Sequence, residues 1–211
     1  MKLKLKNISI EELANTITHG VGAFIAMVGL VILVVIATYQ GGVKHVVSFS
    51  IFGGMMVVLY SISTLYHGTR KERLKKVFRM LDHMSIYLFI AASYTPFCLL
   101  LLKGSFQWAA LGMVWTCALL GVVMKGFHTG KKEVLSTILY IAMGWISIVV
   151  IKPLFNLLSV EGFVLLLGGG LFYTLGTVFY LKENMKYNHA VWHLFVLGGS
   201  TLHYFSVLTL I

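Results

Sequence analysis

The 211-residue chain is 58% hydrophobic and only 11% charged, with a mean hydropathy of +0.88. Soluble domains carry about 25% charged residues, so a water-soluble globular fold is excluded. Apolar runs that are continuous, not alternating, exclude a β-barrel. The formal net charge of +10 admits nucleic acid or anionic lipid as a partner until the charges are placed.

Residues 1–16 read as a short amphipathic lead-in, with Lys2, Lys4 and Lys6 followed by Ile8 to Leu13. They are too polar for the start of a cleavable signal, and the first apolar run is too long for one. A helix needs roughly 20 apolar residues to cross a bilayer. On that measure spans are expected at about 17–39, 45–67, 82–102, 107–125, 134–152, 160–181 and 189–210. The expectation is an all-α integral membrane protein: one domain, residues 1–211, built as a seven-transmembrane helix bundle. The longest connection, 68–80, is mostly charge, with Arg70, Lys71, Glu72, Arg73, Lys75, Lys76 and Arg79. Pro96 sits inside the third expected span, where it kinks a helix locally. Cys98 and Cys117 belong to no CxxC motif, so neither a thiolate metal site nor a disulfide framework is indicated.

Lys and Arg set the orientation. With a cytoplasmic N-terminus, fourteen of the 17 fall inside and only Lys44, Lys103 and Lys152 outside. The N-terminus is therefore expected in the cytoplasm and the C-terminus outside, in a multi-pass plasma-membrane protein. The basic charge then marks a cytoplasmic face resting on anionic lipid, and nucleic acid is not needed to explain it.

That topology gathers chemistry at one membrane level. The second span ends inside at His67, the third begins inside at Asp82, and the seventh begins inside with Asn188 to His193. His189 and His193, four residues apart, project from one helical face, as Ser63 and His67 do. Ionisable groups at the edge of spans are costly and usually face the bundle interior for a reason. Three neutral imidazoles with one open position make a catalytic zinc arrangement, in which bound water has its pKa lowered to roughly 7. Asp82, if it does not bind the metal, takes the proton from that water, and the Ser63 hydroxyl hydrogen-bonds the water or a substrate carbonyl. The competing reading is a set of interfacial polar residues that only solvate helix ends. His203 stands ten residues past His193, about 15 Å further along a helix, too far to share the ion. It is better suited to a buried hydrogen bond.

The ordered set Ser63-x3-His67, Asp82, His189-x3-His193, with Glu12, Asn15 and His19 before the first span, resembles the progestin and adipoQ receptor (PAQR) family. Its bacterial, haemolysin III-like branch is the nearer match, and the resemblance covers essentially the whole chain. That family is related to alkaline ceramidases, and its receptor members bind zinc through three histidines on the cytoplasmic side. The resemblance implies that His67, His189 and His193 are zinc ligands, that Asp82 and Ser63 support them, and that Glu12, Asn15 and His19 brace the site. It also implies hydrolysis of a lipid amide or ester, with membrane lipid as substrate or regulator.

Two alternatives remain open at this level. One is a non-enzymatic sensor or regulator of membrane fluidity with a structural zinc; the other is an oligomeric haemolysin-like pore. A single-copy pore is disfavoured because the ionisable groups gather near one end, with only His203 in the outer half. A retinal photoprotein is excluded, because residues 189–210 hold no lysine.

Overall fold

A computed structural model describes residues 9–128, 133–182 and 184–211. The expected lead-in up to residue 8, including Lys2, Lys4 and Lys6, lies outside the described residues, as do Lys131 and Lys132. Among the described residues every regular element is helical: α1 (Ile10–Gln40), α2 (Val43–Gly68), α3 (Glu72–Leu101), α4 (Gly104–His128), α5 (Glu133–Gly144), a 3₁₀ segment (Trp145–Val150), α6 (Ile151–Leu157), α7 (Val160–Leu181) and α8 (Asn188–Leu208).

Six of these helices, α1 to α4, α7 and α8, have the length and hydropathy to cross a membrane. The expected span at 134–152 is not one continuous helix. It is α5, the 3₁₀ segment and α6 in succession. Two causes meet there. Pro153 cannot donate to the carbonyl four residues earlier, and its ring crowds that turn. The Tyr94 hydroxyl of α3 reaches the carbonyls of Met143 and Gly144 at 3.1 and 2.5 Å and accepts from the Ser147 amide at 2.9 Å. Groups that would have closed α-helical turns are thereby engaged elsewhere, and the tighter 3₁₀ path results.

Two further boundaries differ from the sequence reading. The charged stretch 72–80, expected as a connection, is the first part of α3. From Lys71 to Leu81 it contains neither Gly nor Pro, and its Glu, Arg, Lys, Leu and Met residues are good helix formers. Likewise α1 begins at Ile10, inside the expected lead-in, because the Ser9 side chain caps it by accepting from the Glu12 amide at 3.1 Å. Both extensions carry charged side chains to the site.

The third helix is the spine. One core cluster gathers residues of α1, α2, α3 and α8, including Leu33, Phe52, Phe89 and Val207. A second joins α3 to α4 and α5 through Tyr87, Ala91, Val114, Ala118 and Met143. Pro96 is buried within α3 and does not end it. Close approach of α4 to α3 depends on Gly121, where an added Cβ would stand 2.4 Å from the Tyr87 ring. We expect Gly121→Ala to lower the melting temperature of the detergent-solubilised protein, since overpacking costs about 1–3 kcal/mol. Gly54→Ala, with nothing within 4 Å of the new Cβ, should not. Equal melting of the two variants would show that α3 and α4 do not pack this closely.

Candidate metal centre

The three predicted ligand histidines converge. His67 is in the last turn of α2, and His189 and His193 occupy the first two turns of α8. Ring centroids stand 4.9 Å apart for His67 and His189, 5.2 Å for His67 and His193, and 4.6 Å for His189 and His193. One nitrogen from each lies within 4.8 Å of the other two, and these three form the one group able to hold a metal ion among the described residues.

The hydrogen bonds around the rings decide which nitrogens are offered. His67 Nδ1 lies 2.6 Å from a Glu12 carboxylate oxygen and 3.4 Å from the Asn15 amide nitrogen. The shorter, charge-assisted contact prevails, so Nδ1 carries the proton and donates to Glu12. That leaves a lone pair on Nε2, which is buried and has no hydrogen-bond partner. Thr18 repeats the logic for His193. Its hydroxyl donates to the carbonyls of Ala14 and Asn15, both at 2.9 Å, so its oxygen accepts from His193 Nδ1 at 3.0 Å. Again Nε2 keeps the lone pair. A carboxylate or hydroxyl behind each imidazole is the arrangement that orients metal-binding histidines. In a tetrahedral zinc site two imidazole nitrogens stand about 3.4 Å apart. The triangle, within 4.8 Å on each side, closes on an ion by side-chain rotation, and these residues fit one.

Glu12 is itself held. Lys75 donates to its other carboxylate oxygen at 2.5 Å and lies over the Tyr66 ring at 5.3 Å. Glu11, one residue earlier, accepts from the Tyr187 amide at 3.2 Å, tying the start of α1 to the start of α8. Neither Lys75 nor Thr18 was singled out in the sequence. Lys75 was hidden in a charge run that reads as a connection, and only its position one turn into a helix would have aimed it at Glu12. A Thr three residues after Asn15 in an apolar run carries no separate signal. Glu11, beside Glu12 in the same polar lead-in, carries no separate signal either.

The other expected residues take distinct places. Ser63 and Asp82 are buried, at 1% and 8% exposure, and both line the cavity onto which His189 and His193 open. The Asp82 carboxyl lies beside the Ser63 hydroxyl, which closes no hydrogen bond of its own. Asp82 is not part of the three-histidine triangle. His19 stacks on His193 with centroids 3.5 Å apart, and both of its ring nitrogens are buried without partners. His83 is buried: it donates from Nδ1 to the Arg79 carbonyl at 2.6 Å and faces the Tyr180 hydroxyl at 3.4 Å. His45 accepts from the Gly42 amide at 3.2 Å and donates to the Leu210 carbonyl at 3.3 Å. His203 makes the buried hydrogen bond expected of it, to the Leu166 carbonyl at 3.1 Å.

Comparison with known proteins settles the family. The model of the haemolysin-III related proteins matches residues 8–204. The chain belongs to the haemolysin-III related family. Hemolysin-3 of Bacillus cereus is 46% identical over 198 residues, covering 94% of this chain and 90% of that protein. The Hemolysin-3 homolog of Bacillus subtilis (strain 168) is 44% identical over 198 residues, with 94% and 93% covered. The human monocyte to macrophage differentiation factor is 30% identical over 203 residues, covering 93% of this chain and 83% of that protein. No solved structure matches the chain. This haemolysin-III chain thus falls within the wider PAQR group that its motifs resemble, as a multi-pass protein of the cell membrane.

In the haemolysin-III chain, the cavity beside the histidines has a volume of about 170 Å³. Its wall along α3 runs from Asp82 through Ile86, Phe89, Ser93 and Phe97 to Leu102. That is about 30 Å of helix at 1.5 Å per residue. It is polar at the histidine end and largely apolar beyond. If Glu12 orients His67 for a metal, Glu12→Gln should weaken binding of a divalent ion about 10- to 100-fold, measured by chelator competition. Lys75→Met should weaken it less. Unchanged affinity in Glu12→Gln would separate His67 from this support.

Proposed function

We propose that the chain is a zinc-binding membrane hydrolase that cleaves the amide or ester bond of a lipid and acts in membrane lipid homeostasis. The observation that carries this reading is a triangle of three histidines at the polar end of a long, largely apolar cavity, with His189 and His193 in its wall. Structural zinc sites are closed by a fourth protein ligand, whereas catalytic ones keep a position free. Asp82, the one obvious fourth ligand, stands outside the triangle, which favours the catalytic reading over a fluidity regulator stapled by zinc.

His67, His189 and His193 would hold the ion through three neutral nitrogens. Zinc in such a site supplies an electrophile that makes water nucleophilic near neutral pH and polarises a carbonyl. The Asp82 carboxylate accepts the proton of the attacking water and returns it to the leaving amine or alcohol. The Ser63 hydroxyl donates a hydrogen bond to the substrate carbonyl oxygen. His19, stacked on His193, and Asn15, beside His67, fix the rings against rotation. The apolar wall beyond Ile86 takes the acyl chain and keeps bulk water from the reacting bond.

The same reading takes the α5–3₁₀–α6 segment as a seventh crossing, with the N-terminus cytoplasmic and the C-terminus outside. The distribution of Lys and Arg supports it. Arg70, Lys71, Arg73 and Lys76 are exposed at the start of α3 beside exposed Leu74 and Val77, a composition suited to anionic headgroups. A C-terminal alkaline phosphatase fusion should then be active in cells and a C-terminal fluorescent-protein fusion dark. The reverse pattern would invert the topology.

Purified protein should contain stoichiometric zinc by elemental mass spectrometry, and the His189→Ala/His193→Ala double variant should contain none. Asp82→Asn should keep its zinc and lose hydrolysis of lipid amides or esters. Zinc lost from Asp82→Asn as fully as from the double variant would make Asp82 a ligand and the site closed. The name haemolysin carried by the relatives supports a second reading, lysis by an oligomeric assembly, for which dye release from vesicles would persist in the zinc-free double variant.

A further inference from the structure

Away from the metal centre, the cavity wall holds two more buried polar atoms without partners: the Tyr173 hydroxyl on α7 and His203 Nδ1 on α8. Their rings meet edge to face with centroids 5.2 Å apart. The backbone makes room for each reciprocally. A Cβ on Gly169 of α7 would stand 2.1 Å from the His203 ring, and one on Gly199 of α8 would stand 2.7 Å from the Tyr173 ring. Two helices therefore each give up a side chain so that the polar aromatic of the other fits. The Tyr173 hydroxyl also lies beside the Tyr60–Ser200 hydroxyl pair, without a hydrogen bond of its own.

The protons at this place are determined. His203 Nε2 faces the Leu166 carbonyl at 3.1 Å, and a carbonyl only accepts, so Nε2 carries the hydrogen and Nδ1 offers a lone pair. Tyr173 offers an O–H. One donor and one acceptor thus stand on neighbouring rings in the wall of a largely apolar cavity. An alcohol satisfies both, accepting from Tyr173 and donating to His203, while a plain methylene chain satisfies neither and leaves both desolvated.

Resting on the reading that this cavity takes a lipid, we propose that Tyr173 and His203 form a second recognition point that hydrogen-bonds a hydroxyl carried part-way along the acyl chain. Depth sets where on the chain. His203 is ten residues beyond His193, about 15 Å along α8. An extended chain advancing roughly 1.2 Å per bond reaches that level after about a dozen bonds. Ricinoleic acid, which is oleic acid with a hydroxyl at that distance from its carboxyl group, is the matched probe.

The test is displacement of fluorescent cis-parinaric acid from the purified zinc-loaded protein by ricinoleic and by oleic acid. Wild type should bind ricinoleic acid roughly three- to tenfold more tightly than oleic acid, the gain of one or two hydrogen bonds. Tyr173→Phe, which removes only the hydroxyl, should reduce that preference to less than about twofold, with oleic acid bound no more weakly than by wild type because the desolvated donor is gone. His203→Leu should do the same if Tyr173→Phe perturbs folding in a thermal melt. Equal affinity for the two acids in wild type means that a water alone occupies the pair and overturns the proposal. So does a preference that survives both substitutions. Failure of parinaric, oleic and ricinoleic acids all to bind would instead overturn the lipid reading on which the proposal rests.

Discussion

The contact on which the candidate metal centre depends is the 2.6 Å hydrogen bond from His67 Nδ1 to Glu12. It fixes the tautomer of the one ligand contributed by α2, and it does so from a different helix. The carboxylate is taken up on both oxygens, by His67 and by Lys75, so α1, α2 and α3 are joined through one side chain near the histidine end of the bundle. A carboxylate in such a setting is costly unless it is fully paired, and here each partner also positions something the site uses. Without Lys75, Glu12 has a rotamer to choose; without Glu12, His67 has a tautomer to choose.

From that clasp the rest follows along α3. Asp82 follows Lys75 by seven residues on the same helix, so the helix that steadies Glu12 also presents the carboxyl in the cavity wall. The same helix then forms the long apolar wall and, through the Tyr94 hydroxyl, breaks the regular path of the fifth hydrophobic segment. The break has a geometric result. Gly144, Trp145 and Ser147 reach the cavity, where the Trp145 indole donates to the Thr174 hydroxyl of α7.

Much of this was legible in the sequence. Counting seven apolar runs places His67, Asp82, His189 and His193 toward one end of the bundle, and the structure brings the three histidines together there. Helical spacing then pairs Ser63 with His67 and His189 with His193. The partners behind the ligands were legible only in part. Glu12, Asn15 and His19 stood out as a group through a family signature, whereas Thr18 and Lys75 did not. A threonine in an apolar helix usually bonds its own backbone, and a lysine in a basic run reads as solvated. The broken fifth segment was hidden because hydropathy registers transfer to lipid and is blind to which carbonyls a tyrosine on another helix will claim. The starts of α1 and α3 were misjudged for a related reason: charge ends a span, but it does not end a helix.

The bond between Thr18 and His193 joins residues 175 positions apart, and Glu11 reaches the backbone of Tyr187 across 176. The site is therefore assembled from the beginning and the end of the chain. A nascent protein emerging into the membrane carries Glu12 and His67 in place long before α8 exists to face them. Coordination by three imidazoles becomes available only when the final helix has been made and has folded back against the first. The histidine triangle thus marks completion of the chain: a copy truncated before residue 189 has most of the helices and only one of the three histidines, and an ion that required all three would distinguish finished molecules from unfinished ones.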